Sequence, residues 1–366
     1  MKPVAASALF YPAAAAYALL VLPASIYAMA GHARLLPGLA FPPGHAHEML
    51  FGFALAVVAG NQVGPGSAPR LAGLLGVWLL ARAGFLLAPQ TTPAAAANAA
   101  FAALLAIQIA PRLLRAAKKW RNQALPLVLV AICAAAAAFP AAPEGSLAAA
   151  VLLFALLMLF MGGRIIAPAV AGQYYRQGKK LDARVQPAIE AGLISGMALA
   201  AGSAIWGGAE YGWLTAAATG ACGLLAALRL WRWRLWGLRG RSDLLCLSAG
   251  YGWVALGLLF YAVALAAGQD RTAALHLITV GGLGTLTLNV MAMTAMLKAR
   301  LEPARARVPV WGTLLVAAAT LARVCAGESA LASPGWLWIA ALCWSAAYAL
   351  LLVLLARCAR RGHSRT

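Results

Sequence analysis

The sequence predicts an all-α, polytopic transmembrane helical bundle of about twelve helices with both termini in the cytoplasm. Three observations predict it: a composition unsuited to water, twelve apolar runs of membrane-crossing length, and basic residues gathered in alternate loops. Of the 366 residues, 63% are hydrophobic and 10% charged, and mean hydropathy is +0.82. Soluble domains are roughly 45–50% apolar and about 25% charged. Nine acidic and 29 basic side chains cannot cover a water-facing exterior for a chain of this length.

A helix needs about 20 apolar residues to cross the hydrocarbon core. Stretches near that length run 9–30, 45–63, 71–88, 94–114, 124–139, 147–169, 187–206, 211–231, 244–267, 273–297, 308–326 and 335–357, within one integral membrane domain over 1–366. The first follows Lys2 and contains Pro12 and Pro23. It is too long for the apolar core of a signal peptide and reads as a span. The second opens on Pro42-Pro43-Gly44, residues suited to a helix start. The third and fifth are the shortest, and the sixth runs out through Gly162-Gly163-Arg164. Ala94–Ala97 and Ala134–Ala138 allow close helix approach in the fourth and fifth.

Loop charge gives an independent test of count and direction. With the N-terminus inside, cytoplasmic segments hold 24 of the 29 Lys and Arg. They are Lys2; Arg70; Arg112, Arg115, Lys118, Lys119, Arg121; Arg176, Lys179, Lys180, Arg184; Arg229, Arg232, Arg234, Arg239, Arg241; Lys298, Arg300, Arg305, Arg307; and Arg357, Arg360, Arg361, Arg365. Outer loops hold Arg34 and Arg271, while Arg82, Arg164 and Arg323 fall within spans. One missed or invented helix would scramble that alternation, which follows the positive-inside rule. A multi-pass protein of a bacterial inner membrane is expected. The net charge of +20 is therefore read as loops facing anionic headgroups, not as a nucleic-acid surface. Six cysteines lie singly and form no C-x-x-C, so they read as small apolar side chains.

Polar side chains inside spans are functional candidates by default. In the second span, His45, His47 and Glu48 lie near the outer surface. Glu48 sits roughly one turn, about 5 Å, into the helix. At helical spacing His45, Glu48 and Gly52 share a face, and His47 goes with Phe51. In the tenth span His276 occupies the same leaflet, above Gly281, Gly282 and Gly284. A faint echo joins the two spans, with His47, Gly52 and Asn61 matched by His276, Gly281 and Asn289. Arg82 and Arg323 fall in outer halves of their spans and Arg164 near an inner end. Those arginines need anions, and Glu48 is the clearest intramembrane carboxylate, with Glu190 near the start of the seventh span. Two readings stay open here. The histidines and arginines form a cofactor or metal site, imidazole suiting haem iron or copper. Otherwise they are interfacial side chains and structural ion pairs, with the glycines serving helix packing.

The segments His45-Ala46-His47-Glu48-Met49-Leu50-Phe51-Gly52-Phe53 and His276 with Thr279-Val280-Gly281-Gly282-Leu283-Gly284-Thr285-Leu286-Thr287 resemble the NnrS family of polytopic membrane proteins. Lesser agreement appears at Gly162-Gly163-Arg164-Ile165-Ile166-Ala167-Pro168 and at Tyr251-Gly252-Trp253-Val254-Ala255-Leu256-Gly257. The resemblance implies twelve spans, bound haem and copper, and a role in nitric oxide stress and denitrification, protecting against iron–nitrosyl damage. It also implies ligand roles for His45, His47 and His276 and supporting roles for Glu48 and Arg164. Arg82 or Arg323 would then offset haem propionate charge. The sequence departs from the family pattern after Met293-Thr294, where Ala295-Met296-Leu297-Lys298-Ala299-Arg300 lacks the family's arginine and histidine. It departs again at Asn61-Gln62-Val63-Gly64-Pro65. From the residues alone, a secondary transporter using Glu48, Asn289 and the arginines as a substrate or proton path is the rival reading. An assembly partner of a respiratory complex is a third.

Overall fold

The computed structural model describes residues 3–206, 210–238, 240–327, 331 and 334–363, so Lys2, Arg239 and Arg365 of the predicted cytoplasmic set lie outside the described residues. The chain is built from helices: α1 (Ala6–Met29), α2 (42–62), α3 (Ala68–Leu87), α4 (Thr92–Ala116), α5 (Trp120–Ala138) and α6 (Pro143–Arg176). Then follow α7 (Pro187–Trp206), α8 (Gly212–Arg232), α9 (Ser242–Ala266), α10 (Thr272–Lys298), α11 (Arg307–Cys325) and α12 (Pro334–His363). Eleven of these, all but α2, are long and apolar enough to cross a membrane. The exception carries His45, His47, Glu48, Asn61 and Gln62. A polytopic helical membrane protein is the result, with α3 and α5 at 20 and 19 residues rather than short. Helix α6 is longer than the 147–169 predicted: its 34 residues run past Arg164 to Arg176.

Contacts divide the chain into two compact units, Met1–Ala150 with Leu331–Thr366, and Val151–Ala330. In the first, α1 packs on α12 and α2, and α3, α4 and α5 follow as successive antiparallel neighbours. A two-residue antiparallel pairing of β1 (Val4–Ala5) with β2 (Pro65–Gly66) ties the start of α1 to the end of α2. Pro23 interrupts α1 without leaving its ladder open. A proline removes the N–H that would bond the carbonyl four residues earlier, here Leu19. Ser345 Oγ donates to that carbonyl at 2.9 Å, and Trp344 Nε1 donates to Ala18 O at 3.0 Å. In hydrocarbon an unmet carbonyl costs several kcal/mol, so the Ser345 bond ties α12 to the carbonyl that the proline releases, and the Trp344 bond adds a second tie beside it.

Both α2 and α10 contain a π-helical stretch. In α2 it covers Glu48–Ala54, directly after His47. In α10 it covers Leu277–Gly284, directly after His276. Such stretches are rare and cluster at functional sites. The echo read between the two spans is thus a shared local device.

Exposed aromatics mark the helix ends. Trp120 at the start of α5, Trp231 at the end of α8, Trp236 and Trp311 lie at ends assigned to the cytoplasm. Tyr211, Trp213, Trp336 and Trp338 lie at ends assigned outside. Aromatic residues of this kind gather at both membrane interfaces. In a Cys325→Ser background, Gln90→Cys between α3 and α4 should react with an impermeant maleimide on intact spheroplasts. Lys118→Cys between α4 and α5 should react only after permeabilisation; the reverse pattern would invert the topology.

Candidate functional site: a buried histidine–carboxylate–arginine network

The first unit gathers its charge around Glu48, which is 0% exposed. Arg82 of α3 donates from Nη1 to Glu48 Oε1 at 2.5 Å. His47 Nδ1 lies 2.7 Å from the same oxygen. The Tyr17 hydroxyl of α1 donates to Oε2. Arg82 Nη2 then donates to Asn98 Oδ1 of α4, and Asn98 Nδ2 donates to Ala94 O at 2.9 Å. The π stretch sets this geometry. Its widened turn presents Gly52 O to Trp78 Nε1 at 3.0 Å. Gly52 also leaves room for the network, since a Cβ there would lie 2.9 Å from Tyr17 Cε1 and 3.0 Å from Arg82 Nη1. Glu48 and Gly52 therefore do share a face, as the helical spacing predicts.

His47 is held on two sides. Its ring stacks on Phe85 at 3.8 Å between centroids and meets Phe139 at 4.4 Å. Phe51 lies edge-on at 5.3 Å, on the face the sequence spacing assigns it with His47. Because the Glu48 carboxylate accepts, Nδ1 carries the proton and Nε2 keeps its lone pair. This is the orienting arrangement usual for ligating histidines. His276 shows the same polarity in the second unit: its Nδ1 lies 2.6 Å from the Thr272 carbonyl, which can only accept. His45, half-buried, lies in the first turn of the helix that presents His47.

The arginines read from the sequence as partners for a ligand's carboxylates are held by the protein. Arg82 is taken up by Glu48 and Asn98. Arg164 donates from Nε and Nη2 to Glu190 Oε1 at 3.0 and 2.7 Å and lies 4.8 Å over the Phe160 ring. Arg323 donates to Gly327 O at 3.2 Å, closing the end of its own helix. Among the described residues no three His, Cys, Asp or Glu side chains form a group able to hold a metal ion. The sequence reading missed Tyr17, which lacks any local signal. It also missed Asn98, whose signal was present as one amide in an alanine-rich run. Tyr17→Phe should lower unfolding stability by about 1.5–3 kcal/mol, the usual loss of a hydrogen bond to a charged group. A denaturation series in detergent would measure it.

A family model for the NnrS protein matches residues 8–361. The chain belongs to the NnrS family. No curated protein matches it. In this NnrS-family chain the match spans α1 to α12, so it takes in both π stretches and the histidine before each.

Proposed function

We propose that this NnrS-family protein holds haem at the histidines that precede its π-helical stretches, within a bacterial inner membrane, and serves nitric oxide tolerance or a denitrification-linked response to nitric oxide. The observation that carries the reading is the pair of histidines, His47 and His276, whose Nδ1 atoms are each held by an acceptor. In His47 this leaves Nε2 as the donor atom. A porphyrin supplies four of iron's ligands itself, so a single imidazole from either unit suffices. A bare structural ion asks for about four protein donors. The donor chemistry here fits haem, with copper the less supported companion. His45 is the third candidate imidazole. Bound haem would supply an iron able to take up nitric oxide. The chain's own part is to orient the imidazoles, to hold His47 Nδ1 against Glu48, and to wall the ring from water with Phe85 and Phe139.

Purified, haem-supplemented protein should show a Soret band that shifts on adding nitric oxide and changes in His47→Ala and His276→Ala. A colourless preparation without that band would overturn the reading. One observation favours a second reading, a secondary transporter: two helices interrupted by π stretches, Glu48–Ala54 and Leu277–Gly284, resemble the discontinuous helices of transport sites. Colourless protein with substrate-dependent uptake in liposomes would support that alternative.

A further inference from the structure

The second unit buries a cationic centre that the haem reading does not use. Arg229 lies less than one turn before the cytoplasmic end of α8 and is 4% exposed. Helix α6 makes way for it. A Cβ on Gly163 would collide with the guanidinium, and one on Gly162 would lie 2.5 Å from Tyr251 Cδ2. The guanidinium carbon stands 5.8 Å from the centre of the Trp233 ring, which lies 4.9 Å from that of Tyr251. The Tyr251 hydroxyl is buried in the same cluster and has no hydrogen-bond partner among the described residues.

Among the described residues, Arg229 has no anionic partner. Its Nη1 donates to Leu159 O at 3.3 Å, while Arg229 Nε and Trp233 Nε1 are buried without an acceptor. Asp243, the buried acid of α9, is engaged by Arg241 through both oxygens at 2.9 and 2.8 Å. Guanidinium and indole N–H groups are donors only, so they cannot satisfy one another. A cation buried without a counter-charge is expensive in hydrocarbon surroundings. One negative charge with acceptor lone pairs answers both deficits.

We propose that the Arg229–Trp233–Tyr251 cluster binds a small inorganic monoanion, a halide or a compact oxyanion. A single charge matches a single guanidinium, and a dianion would leave the cluster charged again. A phospholipid phosphodiester has the same charge but drags glycerol and acyl chains with it. Trp233 and Tyr251 are fully buried, a setting that suits a compact ion better than a headgroup with its tail.

The test is thermal unfolding of the full-length protein in detergent, dialysed into gluconate and titrated with chloride or nitrate at constant ionic strength. A ligand at concentration L that binds only the folded state stabilises it by RT ln(1 + L/Kd), so the midpoint temperature starts to climb near Kd and goes on rising with the logarithm of concentration. A rise of that form, specific to the small anion, is expected. Arg229→Gln should abolish it. Trp233→Phe keeps the buried ring but removes one N–H, and should move the concentration at which the rise sets in up by about tenfold. It carries the test if Arg229→Gln does not fold. Identical behaviour in chloride, nitrate and gluconate would overturn the proposal. So would an unchanged onset in Trp233→Phe, or a phospholipid retained by the wild type in intact-complex mass spectrometry and lost from Trp233→Phe.

Discussion

Glu48→Ala should destabilise the first unit more than any other single change to its polar residues, by about 3–5 kcal/mol, the usual result of removing one partner from a buried ion pair. The carboxylate answers three groups from three places: Arg82 of α3, the Tyr17 hydroxyl of α1 and Nδ1 of its neighbour His47. Its loss strands a guanidinium that is 3% exposed. Asn98 can still accept from Nη2 but brings no charge. It also releases the His47 ring from its fixed tautomer. The double variant Glu48→Leu/Arg82→Leu removes both charges together, and replacing a whole buried pair by apolar residues is often close to neutral. It should therefore recover more than half of the loss in a denaturant or thermal series. Equal loss in the single and the double variant would show that the pair is not the cause. Spectra of the double variant separate two roles as well. If the carboxylate positions His47, haem binding should suffer even where stability has returned.

The fold was open to sequence reasoning because lipid simplifies the problem. Each crossing must satisfy its own backbone, so length and apolarity alone define helices. The seventh span, predicted at 187–206, is Pro187–Trp206 in the structure. What lay beyond reach were the departures from the bilayer's length rule. Helix α6 runs on to Arg176 because its end is tied by side chains: the Tyr174 hydroxyl donates to Arg234 O at 2.5 Å and Gln177 Nε2 to Gly237 O at 3.1 Å. These acceptors lie about 60 residues downstream, where no local pattern could point to them. The π stretches were equally hidden, since nothing in hydrophobic periodicity separates them from α-helix over seven or eight residues.

The candidate site was legible in its parts and not in its pairing. His45, His47, Glu48 and His276 stood out as polar residues in apolar runs, and the Glu48–Arg82 pair follows once two opposite charges occupy one leaflet. Arg164 and Arg323 share that signal yet serve Glu190 and a helix end. Depth tells which leaflet a charge occupies, but partner choice depends on which helices are neighbours. Arg229 shows the opposite error. Counted with the cytoplasmic loop because it stands near the end of an apolar run, it is buried against Gly163. The glycine pair at 162–163 was the available clue.

Gly44→Ala is expected to disturb the histidine site from outside it. A short turn, Pro37–Leu39, precedes α2 and is pressed between that helix and the end of α3. A Cβ on Gly38 would fall inside the Phe85 carbonyl, and one on Gly44 inside the Gly38 carbonyl. Both obstacles are backbone, which cannot swing aside as a side chain can. Leu39, beside Gly38, is anchored in a cluster with Val21 and Ala28 of α1, so the turn cannot lift away freely. Relief has to come from moving the start of α2, and that carries His45 and His47 with it. Overpacking of this kind costs roughly 1–3 kcal/mol, and more where the backbone must shift. The same displacement slides the His47 ring off Phe85, the contact that sets its plane. Gly76→Ala in α3 is the matched control, because nothing lies within 4 Å of a Cβ there. In a helix interior it should be neutral or stabilising by up to about 1 kcal/mol. A lowered melting temperature, and on the proposed haem reading a changed spectrum, are therefore expected in Gly44→Ala and neither in Gly76→Ala. Equal behaviour of the two variants would show that the stacked carbonyls yield, and that His47 is positioned by Glu48 and the phenyl rings without help from the turn.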